Sequence, residues 1–189
     1  MSNGFYSSVL CANRSLEVVR GILDSGDVEV DDLLLREHLE RILAPYVQEK
    51  NLVFNFSQNT AIYRLTVLLY NANTKQLTQR YSYADPGIIK QNRSWTPKTG
   101  HAGRAFTEEK VIITPDLSEV DEYKDYYNEI DARQYRSMAS VPLFDKAGIC
   151  GVVVITSSEP EQFNYDNAVE VFETVGHIIS LYLQYIELS

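Results

Sequence analysis

Between Arg133 and Ser158 the chain reads RQYRSMASVPLFDKAGICGVVVITSS: two apolar, β-prone segments, SMASVPLF and CGVVVITSS, around a tight polar turn, DKAG. That pattern is a β-hairpin, and strands this apolar belong inside a packed sheet. A second strand–turn–strand run lies upstream, AIYRLTVLLY and QLTQRYSYA around NANTK, closed by ADPG. Its strands are rich in β-branched and aromatic residues. The two hairpins can pair into one sheet, and a sheet this apolar must be covered.

Helical patterns at both ends can supply the cover. Residues 5–24 read as a helix with Val9, Leu16, Val19 and Leu23 as its apolar positions, broken by DSGD. A second helix starts at Asp31 or Asp32, whose carboxylates suit a helix N-terminus. Leu35, Leu39, Ile42 and Leu43 form one apolar face, and Pro45 predicts a kink or an early end. The last element, over 166–188, carries a stripe of Val169, Phe172, Val175 and Ile179, continued by Tyr182, Leu183 and Ile186. Between the hairpins come a loop with Trp95, a short helix in TGHAGRAFTEE, a brief strand, VIIT, and PDLS. An acidic, tyrosine-rich stretch over 119–134 has no sustained period. The order implies an α+β fold with a mainly antiparallel central sheet flanked by helices.

Charge narrows the partners. The 189 residues carry a net charge of -9, which disfavours nucleic acid and an anionic membrane surface, because phosphate contacts need clustered Lys and Arg. The longest apolar run, around Ile149 to Ile155, falls far short of the roughly 20 residues of a spanning helix. The N-terminus lacks the basic head and apolar middle of a signal peptide. Cys11 and Cys150 match no metal or redox spacing. A cytoplasmic protein without membrane insertion is expected.

TGHAGRAFTEEKVIITPDLS, then the acidic loop, then YRSMASVPLFDKAGICGVVVITSS and a final long helix together resemble a GAF domain. The residues that carry the resemblance are Gly100, Gly103 and Ala105, then Asp116, then Arg136, Ser137, Val141, Pro142 and Leu143, then Gly148 and Gly151. It covers roughly 31–188, so 31–189 is expected to be a GAF-like domain and 1–30 an N-terminal helical extension. The resemblance implies terminal helices on one face of the sheet. On the other face it implies a pocket built from the short helix and the loop, a small-molecule ligand, and a homodimer formed through the terminal helices.

The chemistries known in that family fit these residues unequally. The cyclic-nucleotide signature is absent, and the acidic loop would repel a phosphate, although Arg133 and Arg136 supply a local positive site. Covalent bilin attachment needs a pocket cysteine beside a histidine, and neither cysteine has one. The free methionine sulfoxide reductases of the family use two or three loop cysteines, a thiol relay that Cys11 and Cys150 do not reproduce. Of the three histidines, His38 reads as surface, His177 as core or interface, and His101 as the one bordering the pocket. The acidic cluster from Asp121 to Asp131 has no EF-hand spacing. Fingerprints of hydrolases, P-loops, zincins and Rossmann enzymes are missing. The chain is therefore expected not to be an enzyme, with no catalytic residue and no metal ligand, and the identity of any cofactor is left open.

Thirteen tyrosines suit a pocket that offers flat apolar area with a few hydroxyls. The expected ligand-binding residues are Tyr83, Trp95, His101, Asp116, Tyr123, Tyr127, Arg133, Ser137, Ser140 and Thr156, with 116–133 as the covering loop. Alternation decides which of the strand residues face the pocket. The expected function is a sensory or regulatory domain that binds a small molecule of unknown identity and signals through terminal helices in a homodimer. The alternative is a non-catalytic dimerisation or protein-interaction module whose pocket is filled by its own side chains.

Overall fold

A computed structural model of the chain describes residues 3–26, 29–56, 61–87, 94–121 and 134–188. In chain order the elements are α1 (Asn3–Asp24), β1 (Glu29–Val30), α2 (Asp32–Gln48), α3 (Lys50–Val53), β2 (Tyr63–Asn71), β3 (Gln76–Ala84), α4 (Gly100–Glu108), β4 (Ile112–Thr114), β5 (Ser137–Asp145), β6 (Gly148–Ser157), α5 (Ala168–Leu183) and β7 (Glu187–Leu188). The sheet is five-stranded and antiparallel, in the order β3-β2-β6-β5-β4. Both predicted hairpins form, and they meet where β2 pairs with β6. β1 and β7 make a separate two-residue parallel ladder.

The core lies between the sheet and the helices α1, α2 and α5. Odd-numbered residues of the central strands point into it: Leu65, Val67 and Leu69 from β2, Ala139, Val141 and Leu143 from β5, and Val153 and Ile155 from β6. An aromatic cluster fills one end, with Phe172 stacked on Phe54 at 5.5 Å and edge-on to Phe163 at 5.3 Å. Helix α5 lies close on β5 because residue 176 is glycine: a Cβ there would stand 2.6 Å from Val141 Cγ1.

Asp31 caps α2 by accepting from the Leu34 amide at 2.8 Å, and Leu35, Leu39, Ile42 and Leu43 are buried as their spacing predicts. The helix runs past Pro45 to Gln48, so the missing N–H falls in its last turn. His38, expected at the surface, is buried, with Nδ1 at 2.8 Å from the Tyr182 hydroxyl. His177, by contrast, is exposed.

The buried face of α1 is not the one its largest residues suggest. Cys11, Ala12, Ser15, Val19 and Ile22 face inward, while Val9 and Leu16 are exposed. Small side chains let α1 approach α2, and there the Cys11 thiol and the Ser15 hydroxyl donate to the carbonyls of Pro45 (3.5 Å) and Ile42 (2.6 Å). The stripe on α5 is turned inward except at its first residue: Val169 is exposed, while Phe172, Val175, Ile179, Tyr182, Leu183 and Ile186 are buried in the chain's own core.

Candidate functional site

The face of the sheet turned away from α1, α2 and α5 collects the even-numbered residues of the central strands. Arg64, Thr66 and Leu68 stand on β2, Val152, Val154 and Thr156 on β6, and Met138 and Ser140 on β5. On β3 a bulge changes the parity. Val67 pairs with Tyr81 but Leu68 pairs with Gln79, so Arg80 is an extra residue, and it turns to α2, where it meets Asp32 at 2.5 Å. Ser82, Gln79 and Leu77 consequently share this distal face.

Helix α4 covers one half of the distal face. Leu68, Leu77, Ile112 and Val152 pack there against Ala102, Ala105, Trp95 and Phe106. Trp95 is fixed by a two-way backbone bridge to Leu77. The start of the helix presses on the preceding loop at Gly103, where a Cβ would stand 2.5 Å from the Thr96 carbonyl oxygen. His101 marks the inner limit of this half. Its Nδ1 lies 2.6 Å from Ser140 Oγ and its Nε2 lies 3.1 Å from Thr114 Oγ1. Burial, helped by the Arg104 charge, lowers the imidazole pKa to about 3, so the ring is a neutral bridge.

The other half is polar. Arg64 Nε donates to Thr66 Oγ1 at 3.1 Å and Ser82 Oγ at 3.2 Å, Nη1 donates to the Tyr135 hydroxyl at 2.8 Å, and Nη2 to Gln79 Oε1 at 3.0 Å. Register puts Thr156 directly across from Arg64 on one side and Met138 on the other. Thr156 is 4% exposed, and its buried Oγ1 has no hydrogen-bond partner. Leu117, Val120, Tyr135, Met138 and Val154 form a small apolar cluster beside it.

Asp116 and Leu117 are tied to Arg136. The Leu117 amide donates to the Arg136 carbonyl at 2.7 Å, and the Arg136 guanidinium pairs with Asp116 at 2.5 Å. Asp116 also caps the short 3-10 turn Leu117–Glu119 through the Ser118 amide at 2.9 Å. Hydrogen bonds from Arg136, then from Ser118, hold its carboxyl down at about 2.

The expected site residues separate on this geometry. Trp95, His101, Ser140 and Thr156 are on the distal face, and Asp116 stands between β4 and the 3-10 turn, paired with Arg136. Asp116 serves there as cap and ion-pair partner. Tyr83 is not on the distal face. It packs on the helical side, 6.0 Å from Tyr63, with its hydroxyl donating to Asp85, because the alternation that brings Ser82 forward turns Tyr83 back. Ser137 also has the parity of the helical side, and its hydroxyl donates to the Glu159 carbonyl at 2.9 Å. Tyr123, Tyr127 and Arg133 lie outside the described residues. Arg64, Thr66, Gln79 and Ser82 stand on the same face without having been expected there. Polar residues at 64 and 66, two apart in an apolar strand, were the available signal.

The two thiols are both held protonated. Burial raises the pKa of Cys11, and burial followed by the Asp145 charge pushes Cys150 up to about 12. Among the described residues no group of three or more His, Cys, Asp or Glu is placed to hold a metal ion. No described helix is long and apolar enough to cross a membrane.

The family model of the GAF domain matches residues 57–184. The chain belongs to the GAF family. No curated protein matches it in sequence. Among solved structures, the fRMsr of Staphylococcus aureus in complex with substrate is 18% identical, with 93% of this chain and 95% of that chain covered and a TM-score of 0.67. The free methionine-R-sulfoxide reductase of Neisseria meningitidis in complex with its substrate is 13% identical over 94% and 90%, with a TM-score of 0.65. The GAF domain of A. aeolicus nlh2 in an inactive state is 12% identical over 94% and 95%, with a TM-score of 0.63. At such identities the likeness is one of fold. It nonetheless corrects the expectation that the chain is not an enzyme. That expectation leaned on missing motifs, yet two of the structures sharing this GAF fold are of reductases, so the fold hosts catalysis and the exclusion does not stand.

Proposed function

We propose that this GAF domain is a sensory or regulatory domain that takes a small molecule at the polar half of its distal face, under the segment 116–133. The observation that carries the reading is the Arg64 network beside the unpartnered Thr156 hydroxyl. A sheet face that served only as core would bury apolar residues there, as the helical face does, because an unpaired buried hydroxyl is costly. Binding would reach the helices by a short route. Met138 and Ser140 share β5 with Val141, on which α5 lies at Gly176, and α5 packs against α1.

The output surface in this reading is α1 and a second copy of the chain. Phe5, Tyr6, Val9, Leu10 and Leu16 are exposed on α1, whereas the α5 stripe from Phe172 onward is already buried within the chain. Native mass spectrometry of the purified protein, with a denatured control, tests both parts. The expected result is a dimer carrying extra mass that disappears on denaturation. A monomer of clean mass that no compound of a metabolite library stabilises against heat would reject the reading.

A further inference from the structure

We infer that the ligand of this face carries a carboxylate and that Arg64 receives it, an inference that rests on the small-molecule reading of the distal face. Arg64 is half-buried and all of its side-chain partners, Thr66, Ser82, Tyr135 and Gln79, are neutral oxygens. Among the described residues it pairs with no carboxylate. The acid next to its strand partner Ala84 is Asp85, which turns to the other side and takes Lys50, the Tyr83 hydroxyl and the Tyr63 amide. Asp116 is occupied by Arg136. A guanidinium drawn out of water with only neutral partners is left without compensation for its charge, in a chain whose net charge is -9.

The hydrogen-bond count points the same way. A guanidinium has five N–H groups, and the four bonds of Arg64 engage three of them, one on each nitrogen. One N–H on each Nη is left, and two N–H groups of one fork are what a carboxylate accepts. The unpartnered Thr156 hydroxyl stands across the strand, an independent donor for the same group. One positive charge with neutral hydroxyls around it matches a singly charged carboxylate better than a phosphate of nearly two charges. Tyr135, two residues before β5, then links the anion site to the start of that strand.

The test uses formate, acetate and benzoate as probes of increasing size, each against its amide. It reads the Arg64 Nε–H resonance and the thermal stability of the whole chain. The resonance is assigned by its loss in Arg64→Lys, a variant whose circular dichroism reports that the fold persists. At least one acid should shift the resonance and raise the Tm while its amide does neither. Binding should weaken about tenfold or more in Arg64→Lys and by a smaller factor in Thr156→Val. Acids and amides acting alike, or acids leaving the Arg64 resonance unmoved, would overturn the carboxylate inference. In either case, extra mass in the native spectrum that survives Arg64→Lys would leave the pocket reading standing.

Discussion

The two faces of the central sheet are built from the same strands and obey opposite rules. On the helical face, odd-numbered residues join one continuous core that runs from α1 through the aromatic cluster to the end of α5. On the distal face the apolar residues fall into two small clusters, one under α4 and one including Tyr135, with Arg64, Thr66, Ser82 and Thr156 beside the second. Local propensity cannot produce the difference, because neighbouring residues of one strand serve both faces. What differs is what each face is asked to hold. The helical face holds the fold, and its hydroxyls without partners, those of Tyr46 and Tyr63, ride on rings that contribute large apolar area. The distal face carries an orphaned hydroxyl on a side chain that contributes little area, which is poor packing and, in the proposed function, a donor kept for a ligand.

The largest effect should come from the helical face. Phe172 is fully buried and touches Phe54 and Phe163, so Phe172→Ala removes a ring from the centre of the cluster. The expected loss is about 3–5 kcal/mol of unfolding free energy, read by equilibrium denaturation. A loss below about 1 kcal/mol would mean that the helical face is no more a single cooperative core than the distal one, and the contrast between them would fail.

His101 offers an intermediate effect with a pH signature. Its folded pKa, about 3, lies below the value of roughly 6.5 of an unfolded histidine, so the unfolded chain takes up the proton first. Stability from keeping the ring neutral is therefore complete above pH 6.5 and is lost as pH falls toward 3, at up to about 1.4 kcal/mol per pH unit. His101→Gln should be less stable than the parent at pH 7, through the altered bonds to Ser140 and Thr114, and should lose stability more slowly between pH 6.5 and 4. Denaturation midpoints of the two proteins across that range give the comparison. Parallel slopes would show that the seam between the two halves is open to protons.

Much of this architecture is legible in the chain because the signals are periodic. Both hairpins, the order of elements and the inward face of α2 follow from spacing, and the RS…VPL and G-x-x-G patterns carried the family. The misreadings share a cause. Alternation decides the face of Tyr83 and Ser137, but its phase is not written in the strand, and the bulge at Arg80, which brings Gln79 beside Arg64, leaves no mark in composition. Helical spacing puts His38 next to charged neighbours such as Arg41, whereas the hydroxyl that meets it comes from Tyr182, 144 residues along the chain. Contacts of that separation are invisible to a period. The exclusion of catalysis failed for a different reason, since missing motifs describe known enzymes and not the fold.

Thr156→Val gives the smallest effect and the sharpest one. The substitution keeps the branched shape and deletes a buried hydroxyl that has no partner. Because that hydroxyl has no partner, the change should stabilise the protein, by about 1 kcal/mol. The same change should weaken binding of a carboxylate, because it removes one of the donors that meet the anion. Stability and binding are thus expected to move in opposite directions at one residue, as they do where a site is held against the interest of packing. Denaturation and probe titration on the same preparation decide it. A variant that loses both stability and affinity would show that Thr156 belongs to the core like the residues of the helical face. A variant that gains stability and binds the acids unchanged would confine the anion site to Arg64 and the side chains around it.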